Sequence, residues 1–193
     1  MRAKINAFLV LGKLGITKLV LVTSAIGFLI AIETFEVNQL LILFYTLLGT
    51  AATCLGSGML NNYLEREYDL QMPRTAKRPL QTGLITPEQA LAAGLLLVLI
   101  GTVLLVATVN LLTGFLALLT SFLYVLVYTP LKRISSVNTI IGAIPGALPV
   151  LGGSTAASGE ILLPGIILFI IMFCWQMPHF YAIAWMYRDQ YKQ

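Results

Sequence analysis

The chain has 193 residues, of which 58% are hydrophobic and only 10% charged, and its mean hydropathy is +0.88. Soluble domains carry roughly a quarter charged residues, so this composition excludes an ordinary water-soluble domain and points to a chain embedded in lipid. The formal net charge of +4 falls in the segments between apolar runs, where it marks membrane orientation and is poor evidence for a nucleic-acid partner.

The chain opens with a polar lead-in carrying Arg2, Lys4, Lys13 and Lys18. No small-x-small cleavage site follows the first apolar run, so that run is expected to be a retained helix and not a cleaved signal. A bilayer core of about 30 Å needs about 20 apolar residues per helix. Six stretches meet that length, at about 18–36, 39–61, 89–110, 111–129, 137–158 and 161–186, and the second runs on without a breaker to about 71. Backbone polar groups in lipid must be satisfied internally, which leaves helices or a closed barrel. Continuous apolar runs favour helices over the alternating pattern of a barrel. The expected fold is therefore an all-α integral membrane protein, a single membrane domain over 1–193 with about six transmembrane helices.

All twelve Lys and Arg residues fall on one side of this arrangement. They are Arg2, Lys4, Lys13 and Lys18 in the lead-in, Arg66, Arg74, Lys77 and Arg78 after the second span, Lys132 and Arg133 after the fourth, and Arg188 and Lys192 in the tail. The opposite connections hold Glu33, Glu36 and Glu160 and no cation. By the positive-inside rule both ends of this chain and the Asn61–Pro87 region face the cytoplasm, which suits a multi-pass protein of a bacterial inner membrane. The two cysteines, Cys54 and Cys174, lie inside spans and are expected to pack as small apolar side chains.

The densest polar stretch is "NNYLEREYDLQMPRTAKRPL", Asn61 to Leu80. It ends before "TPEQA", in which Thr86 suits an N-cap, Pro87 the first helical position and Glu88 the first turn. Asn61, Glu65 and Asp69 recur every fourth residue and so share one face of a helix. One amide and two carboxylates aimed the same way are hard oxygen donors of the kind Mg²⁺ takes together with a substrate phosphate. Arg74, Lys77 and Arg78 follow at once and could grip phosphate oxygens. The alternative is a solvated helix end, with Glu65 and Asp69 paired to Arg66 and Lys77 as weak surface contacts.

The motif "N-x-x-x-E-x-x-x-D" followed by "M-x-R-T-x-x-R-P-L" resembles the first aspartate-rich motif of the intramembrane UbiA-type prenyltransferases. "YTPLKRISSVNTIIGAIPGALPVLGG" (128–153) and "WQMPHFYAIAWMYRDQY" (175–191) are similar to the protohaem IX farnesyltransferases of that superfamily, from about residue 18 onward. The family pattern commonly has Asp where this chain has Glu65. Family members are nine-helix bundles, so the resemblance implies that this chain, with about six spans, is truncated relative to that fold.

The resemblance implies transfer of a farnesyl group from farnesyl diphosphate to a vinyl group of haem b, giving haem O and diphosphate for terminal oxidase biogenesis. It implies Mg²⁺ as cofactor, with Asn61, Glu65, Asp69 and Asp189 as metal donors and the first three as the catalytic row. Arg74, Lys77 and Arg78 become the diphosphate-binding cations. Trp175, Gln176 and His179 become candidates for haem contact, imidazole being a common iron ligand. On the residues alone, His179 equally suits a helix-end histidine bonded to a carbonyl, and Asp189 a tail acid paired with Arg188 or Lys192. Implied partners are farnesyl diphosphate, haem b, the lipid bilayer and haem A synthase or oxidase assembly proteins. Alternatives are a UbiA-type enzyme with a quinone or chlorophyll precursor as acceptor, an inactive membrane binding protein, and a transporter. Acids gathered at one membrane face, not at the midplane, disfavour the last.

Overall fold

The computed structural model describes residues 2–32, 34, 36–71, 73, 75–132, 134–135 and 137–186. The lead-in, for which the sequence suggested no helix, forms α1 (Arg2–Leu11). Ala7 and Leu11, four apart, share one face and pack against Met59, Ile85 and Ala90. That contact lays α1 across the end of the bundle. The chain then turns through Gly12 and Lys13. Lys13 adopts φ 56° and ψ 51°, a left-handed conformation uncommon for residues other than glycine. A Cβ on Gly12 would meet Leu55 Cδ2 at 2.7 Å, so the elbow sits directly on the next long helix but one.

Helix α2 (Leu14–Ala31) and α3 (Val37–Asp69) follow. At 1.5 Å per residue the 33 residues of α3 extend about 50 Å, well beyond a hydrocarbon core of about 30 Å. Its C-terminal turns therefore carry polar side chains past the apolar layer. Helix α4 (Pro87–Thr108) begins with a capping box. The Thr86 hydroxyl accepts from the Gln89 amide at 3.3 Å, and Gln89 Oε1 accepts from the Thr86 amide at 3.2 Å. Asn110 caps α5 (Leu111–Phe122) by accepting from the Thr113 amide at 2.8 Å. The helix then widens into a π-helical segment, Leu123–Tyr128, and ends in the short turn α6 (Thr129–Leu131). Helices α7 (Asn138–Ser158) and α8 (Leu163–Met186) complete the described chain.

Six helices are long and apolar enough to cross a membrane: Leu14–Ala31, Val37–Asp69, Pro87–Thr108, Leu111–Leu131, Asn138–Ser158 and Leu163–Ile183. The fold is an all-α, multi-pass membrane bundle. Helix α7 is its most enclosed span, with Ala143, Pro145, Ala147, Leu148, Pro149 and Val150 all buried, and it stays helical through both prolines. Small residues let backbones approach where lipid supplies no hydrophobic drive. A Cβ on Gly27 of α2 would lie 1.9 Å from the Val150 carbonyl oxygen of α7, and one on Gly153 of α7 would lie 1.9 Å from that of Ser24. Gly56 of α3 and Gly94 of α4 are opposed in the same way. Helix α8 packs on α7 and leaves Ile167, Ile170, Ile171 and Trp175 exposed. Both cysteines are free; Cys54 is half-buried and its sulfur accepts from the Thr17 hydroxyl at 3.4 Å, while Cys174 is exposed on α8.

Candidate active site

The spacing of Asn61, Glu65 and Asp69 does place them on one face of α3, and all three are buried. They are not the solvated end of a helix. Arg66, the cation nearest in sequence, lies off this face: it pairs with Glu67 at 3.2 Å and covers the Tyr63 ring at 4.5 Å. The partners of the row come instead from three other parts of the chain. Lys13, at the α1–α2 elbow, donates to Asn61 Oδ1. Lys132, just after α6, donates to Glu65 Oε1 at 3.3 Å. Arg78, in the loop before α4, donates to Asp69 Oδ2 and, at 3.0 Å, to Asn62 Oδ1.

The π-helical segment is what lets α5 and α6 serve this cluster. Tyr124 and Thr129 are five residues apart, about 140° from each other on an ordinary α-helix. Here both turn to the same place. The Lys13 ammonium donates to the Tyr124 hydroxyl at 2.8 Å, and Asn61 Nδ2 donates to Thr129 Oγ1 at 2.8 Å. Thr129 in turn donates to the Tyr124 carbonyl at 2.8 Å. Asn61 is thus held at both ends of its amide, which sets its oxygen toward Lys13. A single π-turn inside an α-helix is a frequent feature of functional sites.

The loop after α3 is tied back on the helix. The Thr75 hydroxyl donates to the Asp69 carbonyl at 2.7 Å, and Gln81 donates to the Arg66 carbonyl at 3.1 Å. Asn62, fully buried, donates to the Leu11 carbonyl at 2.8 Å, which links α1 to Arg78 through one side chain. Loss of water around the Lys13 ammonium lowers its pKa to about 8; Glu65 and Asp69 oppose that fall and Arg78 adds to it.

Among the described residues the cluster sets three cations, Lys13, Arg78 and Lys132, against two carboxylates, Glu65 and Asp69. An excess of positive charge with hard oxygen donors beside it suits a polyanion that brings a metal ion. No three His, Cys, Asp or Glu side chains converge as a complete metal cage among those residues. Mg²⁺ does not require one, because it keeps waters and takes substrate phosphates as ligands. Asn61, Glu65 and Asp69 therefore fit it chemically.

Of the other expected site residues, Arg74 and Asp189 lie outside the described residues. Lys77 is exposed on the loop. Gln176 is buried against α7, donating to the Ala143 carbonyl at 3.3 Å and to that of Met172 at 3.2 Å. Trp175 and His179 stack on the outer side of α8, with centroids 4.9 Å apart and planes within 13°, and Phe180 adjoins His179 at 6.0 Å. Lys13, Asn62, Tyr124, Thr129 and Lys132 complete the cluster without having been expected there. A pointer to two of them was available, since "YTPLK" contains both Thr129 and Lys132. Lys13 read only as an orientation charge.

The model of the UbiA prenyltransferase family matches residues 20–193. The chain belongs to that family. It is 48% identical over 184 residues to the protoheme IX farnesyltransferase of Salinibacter ruber, covering 95% of this chain and 64% of that protein. With the protoheme IX farnesyltransferase of Aquifex aeolicus it shares 42% identity over 190 residues, 98% of this chain and 64% of the relative. The corresponding protein of Solibacter usitatus is 42% identical over 191 residues, 95% of this chain and 65% of that one. The chain thus spans slightly under two thirds of the length of these curated relatives. A solved structure of a digeranylgeranylglyceryl phosphate synthase superposes with a TM-score of 0.79 over 99% of this chain and 66% of the other. At 20% identity that likeness concerns the fold: a UbiA-type helical bundle.

Proposed function

We propose that this chain is the part of a protohaem IX farnesyltransferase that holds the diphosphate, and that the protein transfers farnesyl from farnesyl diphosphate to a vinyl group of haem b, releasing diphosphate and giving haem O. The observation that carries this reading is the buried row Asn61, Glu65 and Asp69 with Lys13, Arg78 and Lys132 around it. Similarity to relatives named protoheme IX farnesyltransferase supports the choice of acceptor.

In this reading Asn61, Glu65 and Asp69, with Asp189, hold Mg²⁺, which when bound offsets charge on the departing diphosphate. Lys13, Arg78 and Lys132, with Arg74 and Lys77 from the loop, bind the phosphate oxygens and stabilise the charge that develops as the allylic bond breaks. Apolar helix walls exclude water from the prenyl tail. The flat Trp175–His179 stack offers a surface matched to a planar macrocycle, while Gln176 pins α8 to α7 beside it. The charge asymmetry supports a diphosphate site on the cytoplasmic face, and the bacterial sources of the relatives support an inner-membrane setting. That setting would put its product within reach of haem A synthase or oxidase assembly proteins.

The test uses the full-length protein in proteoliposomes with haem b, farnesyl diphosphate and Mg²⁺, following pigment mass and released diphosphate. Haem O formation that disappears with Glu65→Gln and Asp69→Asn is expected. Diphosphate release without a gain in pigment mass would overturn haem as acceptor, and no release at all would overturn prenyl transfer.

A further inference from the structure

Each residue of the row has one oxygen bonded to a cation from a different element: Asn61 to Lys13, Glu65 to Lys132 and Asp69 to Arg78. None of the three cations is a neighbour of the row along α3; they lie 48, 67 and 9 positions away. Lys13 is set by a left-handed elbow, Lys132 by the end of α6 and Arg78 by its second bond to the buried Asn62. The one-to-one pairing has a consequence for the order of binding. A divalent cation arriving alone meets like charge within hydrogen-bond reach of every donor it needs, and it brings nothing for the three displaced cations to bind. A diphosphate supplies that missing partner, because its oxygens can receive Lys13, Arg78 and Lys132 as they leave the row.

We propose that Lys13, Lys132 and Arg78 are internal counter-ions that keep the Asn61–Glu65–Asp69 row closed to a free divalent metal and release it only when a diphosphate is present. Metal and diphosphate then enter as a linked pair, and the three cations move from side-chain oxygens to phosphate oxygens. Lys13 is the positioning residue most specific to this behaviour, because its partners Asn61 and Tyr124 carry no charge and need no cation for their own sake. The inference rests on the diphosphate reading of the site given above, which it deepens.

The experiment measures Mn²⁺ binding to the full-length protein in detergent by electron paramagnetic resonance, with and without inorganic diphosphate. The expected result is at least about tenfold tighter Mn²⁺ binding with diphosphate, counting only protein-bound ion. Lys13→Met is expected to tighten Mn²⁺ binding to the diphosphate-free protein by about tenfold and to weaken inorganic diphosphate binding, because one repelling charge is gone and one phosphate ligand with it. Lys13→Arg should restore the wild-type pattern. Equal Mn²⁺ affinity in the presence and absence of diphosphate would overturn the counter-ion proposal and leave the diphosphate site standing. Failure to bind Mn²⁺ or diphosphate under any condition would overturn both. Because diphosphate oxygens are themselves metal ligands, the wild-type comparison tests the linkage and Lys13→Met tests its cause: an unchanged Mn²⁺ affinity of the diphosphate-free Lys13→Met protein would overturn the counter-ion proposal.

Discussion

Lys132 and Glu65 are 67 positions apart in the chain and 3.3 Å apart in space. Their contact joins the end of the fourth membrane span to the projecting end of the second, at the point where the family's acidic motif leaves the apolar layer. It replaces the local pairing with Arg66 that a solvated helix end would make. The pair is therefore a tertiary feature of the site, and the behaviour of its members separates a binding site from a helix terminus.

Removing either carboxylate charge while keeping its shape is the direct probe. Glu65→Gln and Asp69→Asn are each expected to lower kcat by about 10²-fold or more, the scale of losing one preorganised stabiliser of a leaving group. Diphosphate release in proteoliposomes gives the rate, and size-exclusion in detergent confirms the fold. A change of less than about threefold would place the row outside the reaction.

Thr129→Val tests the positioning of Asn61. The substitution keeps the side-chain shape but removes the acceptor for Asn61 Nδ2 and the donor to the Tyr124 carbonyl. Leaving a buried amide unsatisfied costs about 1–3 kcal/mol. The expected outcome is a lower melting temperature together with a raised KM for farnesyl diphosphate, since Asn61 is no longer held toward the site. Thr129→Ser, which keeps the hydroxyl, should recover the KM.

The α2–α7 contact predicts a sharp contrast between glycines. Gly27→Ala puts a methyl 1.9 Å from the Val150 carbonyl oxygen, whereas Gly152→Ala meets nothing within 4 Å. Overpacking of this kind costs typically about 1–3 kcal/mol. Thermal unfolding in detergent should show a clear loss for Gly27→Ala and little change for Gly152→Ala.

The capping box of α4 is a local feature and predicts a local effect. Thr86→Ala removes the side-chain acceptor of the Gln89 amide and is expected to cost about 1 kcal/mol. Hydrogen exchange should rise in the first turn of α4, with turnover unchanged, because Thr86 touches no member of the acidic row.

The amino-acid order alone determined whatever depends on neighbours along the chain. Apolar run length set six membrane-competent helices, the Thr86–Gln89 pattern set the start of α4, and the fourfold spacing put Asn61, Glu65 and Asp69 on one face. The acidic and Arg-rich motif also carried the family resemblance. Helix α1 was obscured because its ten residues are too few to cross a membrane and begin with the charges Arg2 and Lys4, and only contact with Met59, Ile85 and Ala90 gives Ala7 and Leu11 a core to enter. The cations that face the row were legible as charges but not as partners. Lys13 and Lys132 reach it from other helices, and a π-helical turn, which no residue pattern in 123–128 announces, brings Tyr124 and Thr129 round to meet them. Helix-forming hydrogen bonds and apolar periodicity act over a few residues, whereas the charge balance of a buried site is set by whichever side chains the packing of separate helices brings within about 4 Å, and that was decided only by the tertiary structure.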